Sequence, residues 1–182
     1  MLFTNGQRVI SLFITFCISY SKSLATKKEL RALQIGYFDK ALISYGKSLT
    51  MKKELGALQN EIAYTHDSIA NVYSAQGEHL MALNKHMESL ELKKDYHRPV
   101  VNTFDIALSF HNIGCEFRHL KKHHEAGKFL REAVSIRKIL FRGGIHPEVS
   151  RSLWLLGLNY WNLNELEKAK NNLHEALDII QK

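Results

Sequence analysis

The chain has 182 residues, of which 45% are hydrophobic and 24% charged, with a net charge of +7 and a pI near 9.4. That length and apolar content suit one folded domain with a sizeable core and exclude a disordered tail. Two cysteines, Cys17 and Cys115, exclude a disulfide framework and suit a reducing compartment, so a cytoplasmic protein is expected.

The first 35 residues are read in two ways. "MLFTNGQRVISLFITFCISYSKSLA" places Arg8 before an apolar run and ends in Ser23-Leu24-Ala25, the layout of a secretory signal peptide. Secretion is the alternative localisation on that reading. The run from Val9 to Tyr20 is too short for a helix to cross a bilayer, so no stable membrane insertion is expected. The competing reading is a degenerate repeat helix. "ISYSKSLATKKELRALQ" (Ile18 to Gln34) and "ISYGKSLTMKKELGALQ" (Ile43 to Gln59) agree at thirteen of seventeen positions, 25 residues apart. Cleavage after Ala25 would cut a helix whose twin is intact.

From Gly36 onward a longer period takes over. Ala41, Ala82, Ala126 and Ala169 are spaced by 41, 44 and 43 residues. Each is followed four and seven residues later by a second set on the same helical stripe: Tyr45/Ser48, His86/Ser89, Leu130/Ala133 and Leu173/Ala176. Before three of these alanines lies another helix with its own grammar: Ile69/Ala70/Tyr73, Ile113/Gly114/Phe117 and Leu156/Gly157/Tyr160. The small residue admits a crossing helix and the aromatic fills the space beside it. A turn follows at Gly77, Lys121 and Asn164. Gly and Asn tolerate left-handed backbone, so a different turn is expected at Lys121.

Only Pro99 and Pro147 interrupt the chain, no β-branched alternation marks strands, and Ala, Leu, Lys, Glu and Gln dominate. The expected fold is all-α. The expected organisation is a degenerate helix over 1–35 and an array over 36–182, divided into a half repeat at 36–59 and repeats at 60–101, 102–148 and 149–182. A full period between the doubled phrases would be 41 residues, so 16 are missing. They correspond to Asn60–Ala75, a whole first helix.

This grammar resembles the tetratricopeptide repeat, and the long period with the linker "GGIHPEV" (Gly143 to Val149) resembles the kinesin-light-chain subclass. The resemblance implies an α-solenoid of antiparallel helix pairs in a right-handed superhelix, acting as a non-catalytic scaffold for a protein or peptide partner. First helices of such arrays line the concave face. The candidate partner-binding residues are then Asn71, His111, Asn112, Cys115, Arg118, Arg151, Trp154, Leu158 and Trp161. In the family an asparagine at the position of Asn112 holds a peptide backbone; Ser68 and Leu155 stand there in the other repeats.

Trp154, Leu158 and Trp161 form an i, i+4, i+7 stripe. It reads either as a partner hot spot or as the contact of a further or self-associated element. Stacking is expected to bring Trp161 beside Arg118.

Chemistry is not signalled. No phosphate loop, nucleophile elbow or HExxH occurs, so no enzyme is expected. His119, His123 and His124 straddle the turn at Leu120 to Lys122, without zinc-ligand spacing, so neither a metal nor another cofactor is expected. The positive charge invites a nucleic-acid reading. The pairs Lys27-Lys28, Lys52-Lys53 and Lys93-Lys94 instead fall late in helices, where cations favour the dipole. They read as solvated helix ends, and no nucleic-acid partner is expected.

Overall fold

The computed structural model describes residues 34–96, 103–142 and 145–181. The signal-like segment, the first of the doubled phrases and the prolyl linker around Pro99 lie outside the described residues. Contacts divide the chain into two units, Met1–Ala41 and Leu42–Lys182. The packing between helices lies in the second, which begins at Leu42 within the first described helix.

Helix α1 occupies residues 34–54. Six more follow: α2 (Gln59–Gln76), α3 (His79–Tyr96), α4 (Phe104–His119), α5 (His123–Leu140), α6 (Pro147–Asn162) and α7 (Leu166–Ile180). They pack as antiparallel neighbours, α2 with α3, α4 with α5 and α6 with α7, and each pair rests on the next. The core runs along the array. One apolar cluster joins α3, α4 and α5 through Leu83, Leu90, Ile106, Ile113 and Ile136. Another joins α5, α6 and α7 through Leu130, Val149, Leu153, Leu156 and Ala169.

Caps fix where helices begin. The Thr103 side chain accepts from Ile106 N–H at 3.3 Å before α4. At α6 the His146 ring accepts from Glu148 N–H at 3.1 Å, Pro147 takes the first turn, and Phe141 stacks on the imidazole at 3.6 Å. That imidazole is therefore structural.

Helix ends share one geometry, and here the structure corrects the sequence reading. Lys121 adopts φ 59°, Asn164 φ 59° and Gly77 φ 83°. In each case the next N–H reaches back to the aromatic carbonyl: Glu78 to Tyr73, Lys122 to Phe117 and Glu165 to Tyr160, all at 2.9 Å. This is the Schellman closure. The turn at Lys121 does not differ. A lysine is held in left-handed backbone because the closing hydrogen bonds outweigh a cost of roughly 1–2 kcal/mol.

The small-residue grammar has a measurable cause. A Cβ added to Gly114 would lie 2.7 Å from Leu130 Cγ, and one added to Gly157 would lie 2.7 Å from Leu173 Cγ. The leucine therefore seats in a glycine notch in the second and third pairs. In the first pair Ala70 replaces the glycine and His86 replaces the leucine; both are buried. We expect Gly114→Ala to destabilise the chain by about 1–3 kcal/mol. Its urea midpoint falls, and adding Leu130→Val recovers part of the loss.

Candidate functional site

The most ordered polar chemistry lies between repeats. Lys93 and Arg137 are the largest fully buried side chains, both 0% exposed. They occupy one register, eleven residues after the anchor alanines Ala82 and Ala126. Each crosses to a hydroxyl on the following first helix. Lys93 Nζ donates to Ser109 Oγ at 2.9 Å, and Arg137 Nη1 donates to Ser152 Oγ at 2.5 Å and to the Glu148 carbonyl at 2.8 Å. Lys52, eleven residues after Ala41, repeats the bridge: its Nζ donates to Thr65 Oγ1 at 3.0 Å and to the Glu61 carbonyl at 3.2 Å. Thr65, Ser109 and Ser152 each stand five residues before the small notch residue.

The first lysines of Lys52-Lys53 and Lys93-Lys94 are thus joints, not solvated helix ends, and that part of the sequence reading is corrected. Burying a cation requires compensation. Lys93 Nζ lies 2.5 Å from Asp67 Oδ2, and His86 Nδ1 lies 2.9 Å from Asp67 Oδ1. Burial alone would raise the Asp67 carboxyl; the hydrogen bond from His86 and the charge of Lys93 outweigh it and hold the group below its ordinary value. Arg137 Nη2 lies 2.8 Å from Glu148 Oε2, an ion pair without hydrogen-bond alignment.

A second row crosses the same joints at the opposite end of the helices. His79 Nδ1 lies 2.8 Å from the buried Glu116 carboxylate, which also accepts from Ser74 Oγ at 2.7 Å. One repeat later Asn159 Nδ2 donates to the His123 carbonyl at 2.8 Å, and His123 Nδ1 lies 3.2 Å from Asn159 Oδ1. Both histidines stand three residues before an anchor alanine. Two rows of polar rungs therefore set the register of each repeat on the next.

The candidate partner-binding residues distribute unevenly. His111 is buried, with Nδ1 3.0 Å from Ser152 Oγ, and so leaves the surface set. Its repeat equivalents are Asp67, paired with Lys93, and Trp154, which is 53% exposed. Asn112, Cys115, Arg118 and Leu158 are half-buried, while Asn71, Arg151 and Trp161 are exposed. Arg151 Nη2 donates to Glu148 Oε2 at 2.7 Å. Burial first, and the Glu116 charge after it, push the Cys115 thiol up to about 11, so it is an unreactive thiol at neutral pH. The expected Arg118–Trp161 contact is absent among the described residues; cations lie over rings at Lys93–Tyr64, Lys94–Phe110 and Lys168–Tyr160. His119 stacks on His79 at 4.3 Å, and no group of three or more His, Cys, Asp or Glu among the described residues is placed to hold a metal.

The stripe 154/158/161 corresponds to 67/71/74 and 111/115/118. In those earlier repeats this side of the first helix meets the following first helix, through Ser74–Glu116 and His111–Ser152.

A tetratricopeptide-repeat family model matches residues 105–182. Over that span the chain is similar to tetratricopeptide repeats. The solved structures similar to this repeat chain include BtubC (BKLC) from P. vanneervenii, with a TM-score of 0.71 at 22% identity, covering 80% of this chain and 57% of that one. They also include a Podospora anserina protein described as a kinesin light chain with nearly identical TPR-like repeats, with a TM-score of 0.64 at 16% identity, covering 79% of this chain and 67% of that one. The TPR domain of Arabidopsis FLU gives 0.60 at 15% identity, covering 68% and 98% respectively. At these identities the likeness is one of fold, and the chain spans just over half the length of BtubC. No curated protein matches it.

Two outcomes follow for this repeat protein. Lys93→Ala strands a largely buried Asp67 and should cost about 3–5 kcal/mol, whereas Lys93→Met with Asp67→Leu should recover most of the loss in urea unfolding. His111 is pushed down to about 3, by burial first and then by the charges of Arg137 and Arg151. Because its folded value is depressed, its contribution is complete above about pH 6.5 and is lost as pH falls toward 3, at up to about 1.4 kcal/mol per pH unit. Burial also lowers His66 and His119, with the same sign. Urea midpoints measured from pH 7 to 4 should fall, and His111→Asn should flatten the slope.

Proposed function

We propose that the chain is a non-catalytic protein-interaction scaffold that captures an extended peptide or protein segment along its first helices. The observation that carries this reading is the division of polar groups. Lys52, Lys93, Arg137, His79 and His123 are consumed by the joints. Asn71, Asn112, Arg118, Arg151, Leu158 and Trp161 stay exposed or half-exposed on successive first helices, with Asn71 and Leu158, and Arg118 and Trp161, at equivalent register. Stacked repeats use such a surface for recognition. Drawing basic side chains into joints also takes them from the surface that a phosphate backbone would need, which favours a protein partner over nucleic acid.

The cytoplasm is the setting this reading carries, with an unpaired Cys115 thiol and, among the described residues, no helix long and apolar enough to cross a membrane. Self-association belongs to the same reading, because Trp154 and Trp161 are exposed.

The test is a peptide-array selection against the full chain, followed by calorimetry on the peptides that bind. Asn112→Ala and Arg118→Ala should weaken binding about tenfold or more with circular dichroism unchanged. Peptides bound equally well by both variants and by the parent would refute capture along the first helices. N-terminal sequencing of the secreted fraction addresses the alternative: a mature start at Thr26 marks a secreted interaction protein.

A further inference from the structure

The second helices α3, α5 and α7 carry a glutamate at one register, six residues after the anchor alanine: Glu88, Glu132 and Glu175. In two of them a lysine ammonium answers it. Lys85 Nζ lies 2.8 Å from Glu88 Oε2, and Lys138 Nζ reaches from α5 to lie 2.5 Å from Glu175 Oε1. Glu132 has neither. The register of Lys85 holds Phe129 on α5. Lys94, at the register of Lys138, pairs with Glu91 at 2.9 Å and stands 5.9 Å over the Phe110 ring. Among the described residues Glu132 and Lys128 have no ionic or hydrogen-bonding partner. Nor do they answer each other: they stand one turn apart with the lysine first, the less favourable order for a pair on one helix.

Beside Glu132 the surface opens into a cleft of about 420 Å³, lined by Phe110, Lys128, Phe129, Arg131 and Glu132. The first pair has no aromatic wall here: His66 takes the register of Phe110, and its Nδ1 lies 2.9 Å from Glu88 Oε2. In the second pair the Phe110 and Phe129 rings lie 5.9 Å apart, and Phe129 stacks on Phe117 at 5.3 Å. We infer that this cleft binds a lysine side chain of a partner protein, its methylene stem along the Phe110 and Phe129 rings and its ammonium on Glu132. The chain supplies the precedent, since both equivalent glutamates hold a lysine ammonium. A long apolar stem with a charged tip suits an aromatic wall with a carboxylate at its rim, and the ring faces attract the cation.

The same rim limits which lysine fits. Lys128 stands free, and Arg131 donates one N–H to Tyr160 Oη at 3.3 Å while its charge stays at the mouth of the cleft. A polybasic segment would set its further cations against both. A lysine with an aspartate or glutamate beside it answers Glu132 and Lys128 together, so the partner segment has mixed charge. None of the lining residues belongs to the set assigned to capture along the first helices. The site therefore goes beyond the proposed scaffold reading and does not depend on it.

The test selects phage-displayed dodecapeptides on the full chain and measures the binders by calorimetry. One class of binders should carry a lysine next to an acidic residue and bind the Asn112→Ala variant as well as the parent. Glu132→Lys should weaken that class at least about tenfold, and exchanging the peptide's lysine for glutamate should recover most of the loss in that variant. Glu132 is exposed and unpaired, so circular dichroism should hold. Should helicity fall, Glu132→Gln gives the reading, with a loss of about threefold. Oligolysine should not compete. The proposal is overturned if no peptide is selected, or if every selected peptide is indifferent to the Glu132 variants. Competition by oligolysine as strong as by the selected peptides overturns it too, since that would mark a general attraction for cations. Peptides lost with Asn112→Ala and kept with Glu132→Lys support capture along the first helices alone and count against this site.

Discussion

A cation withdrawn from water near the ends of α3 and α5, and answered by a hydroxyl on the next first helix, is the constraint around which this array is organised. Apolar packing between helices tolerates sliding by a turn, because one leucine much resembles another. A buried ammonium or guanidinium does not. If α4 slipped along α3, Lys93 would keep its cost of burial and lose Ser109. The polar rungs therefore do in the stack what a buried polar residue does in a coiled coil: they give up some stability to fix a single register.

Much of the fold was legible because the periodicity is redundant. Anchor alanines, notch residues and aromatics recur together, and each fixes the phase of the others. The glycine notches follow directly, since Gly114 and Gly157 face Leu130 and Leu173 as the stripe required. Lys121 shows the limit of residue preference: the closing bonds of the turn impose left-handed backbone whether or not the residue favours it.

The site was less legible, for a specific reason. Lys52 and Lys93 were judged by the chemistry of a helix terminus, whereas their meaning lies in registration with Thr65 and Ser109, one helix further on. The signal was present. Counting eleven residues from each anchor alanine gives Lys52, Lys93 and Arg137, and counting five back from each notch gives Thr65, Ser109 and Ser152. His111 stands outside the packing grammar, which puts it among the inward-facing candidates; the neighbouring repeat covers it. Phase within one helix cannot say which face a partner helix takes.

The three helix pairs close their seams differently, and this makes the array thermally uneven. In α4–α5 and α6–α7 a leucine fills a glycine notch, so unfolding exposes mainly apolar surface there. In α2–α3 the corresponding site is Ala70 against His86, whose imidazole bonds Asp67. Apolar exposure raises the heat capacity of unfolding and polar exposure lowers it. On cooling, the leucine-filled seams lose their driving force faster than the imidazole-bonded one. The repeat with the least apolar seam is thus the one whose cohesion changes least between a cold and a warm cell.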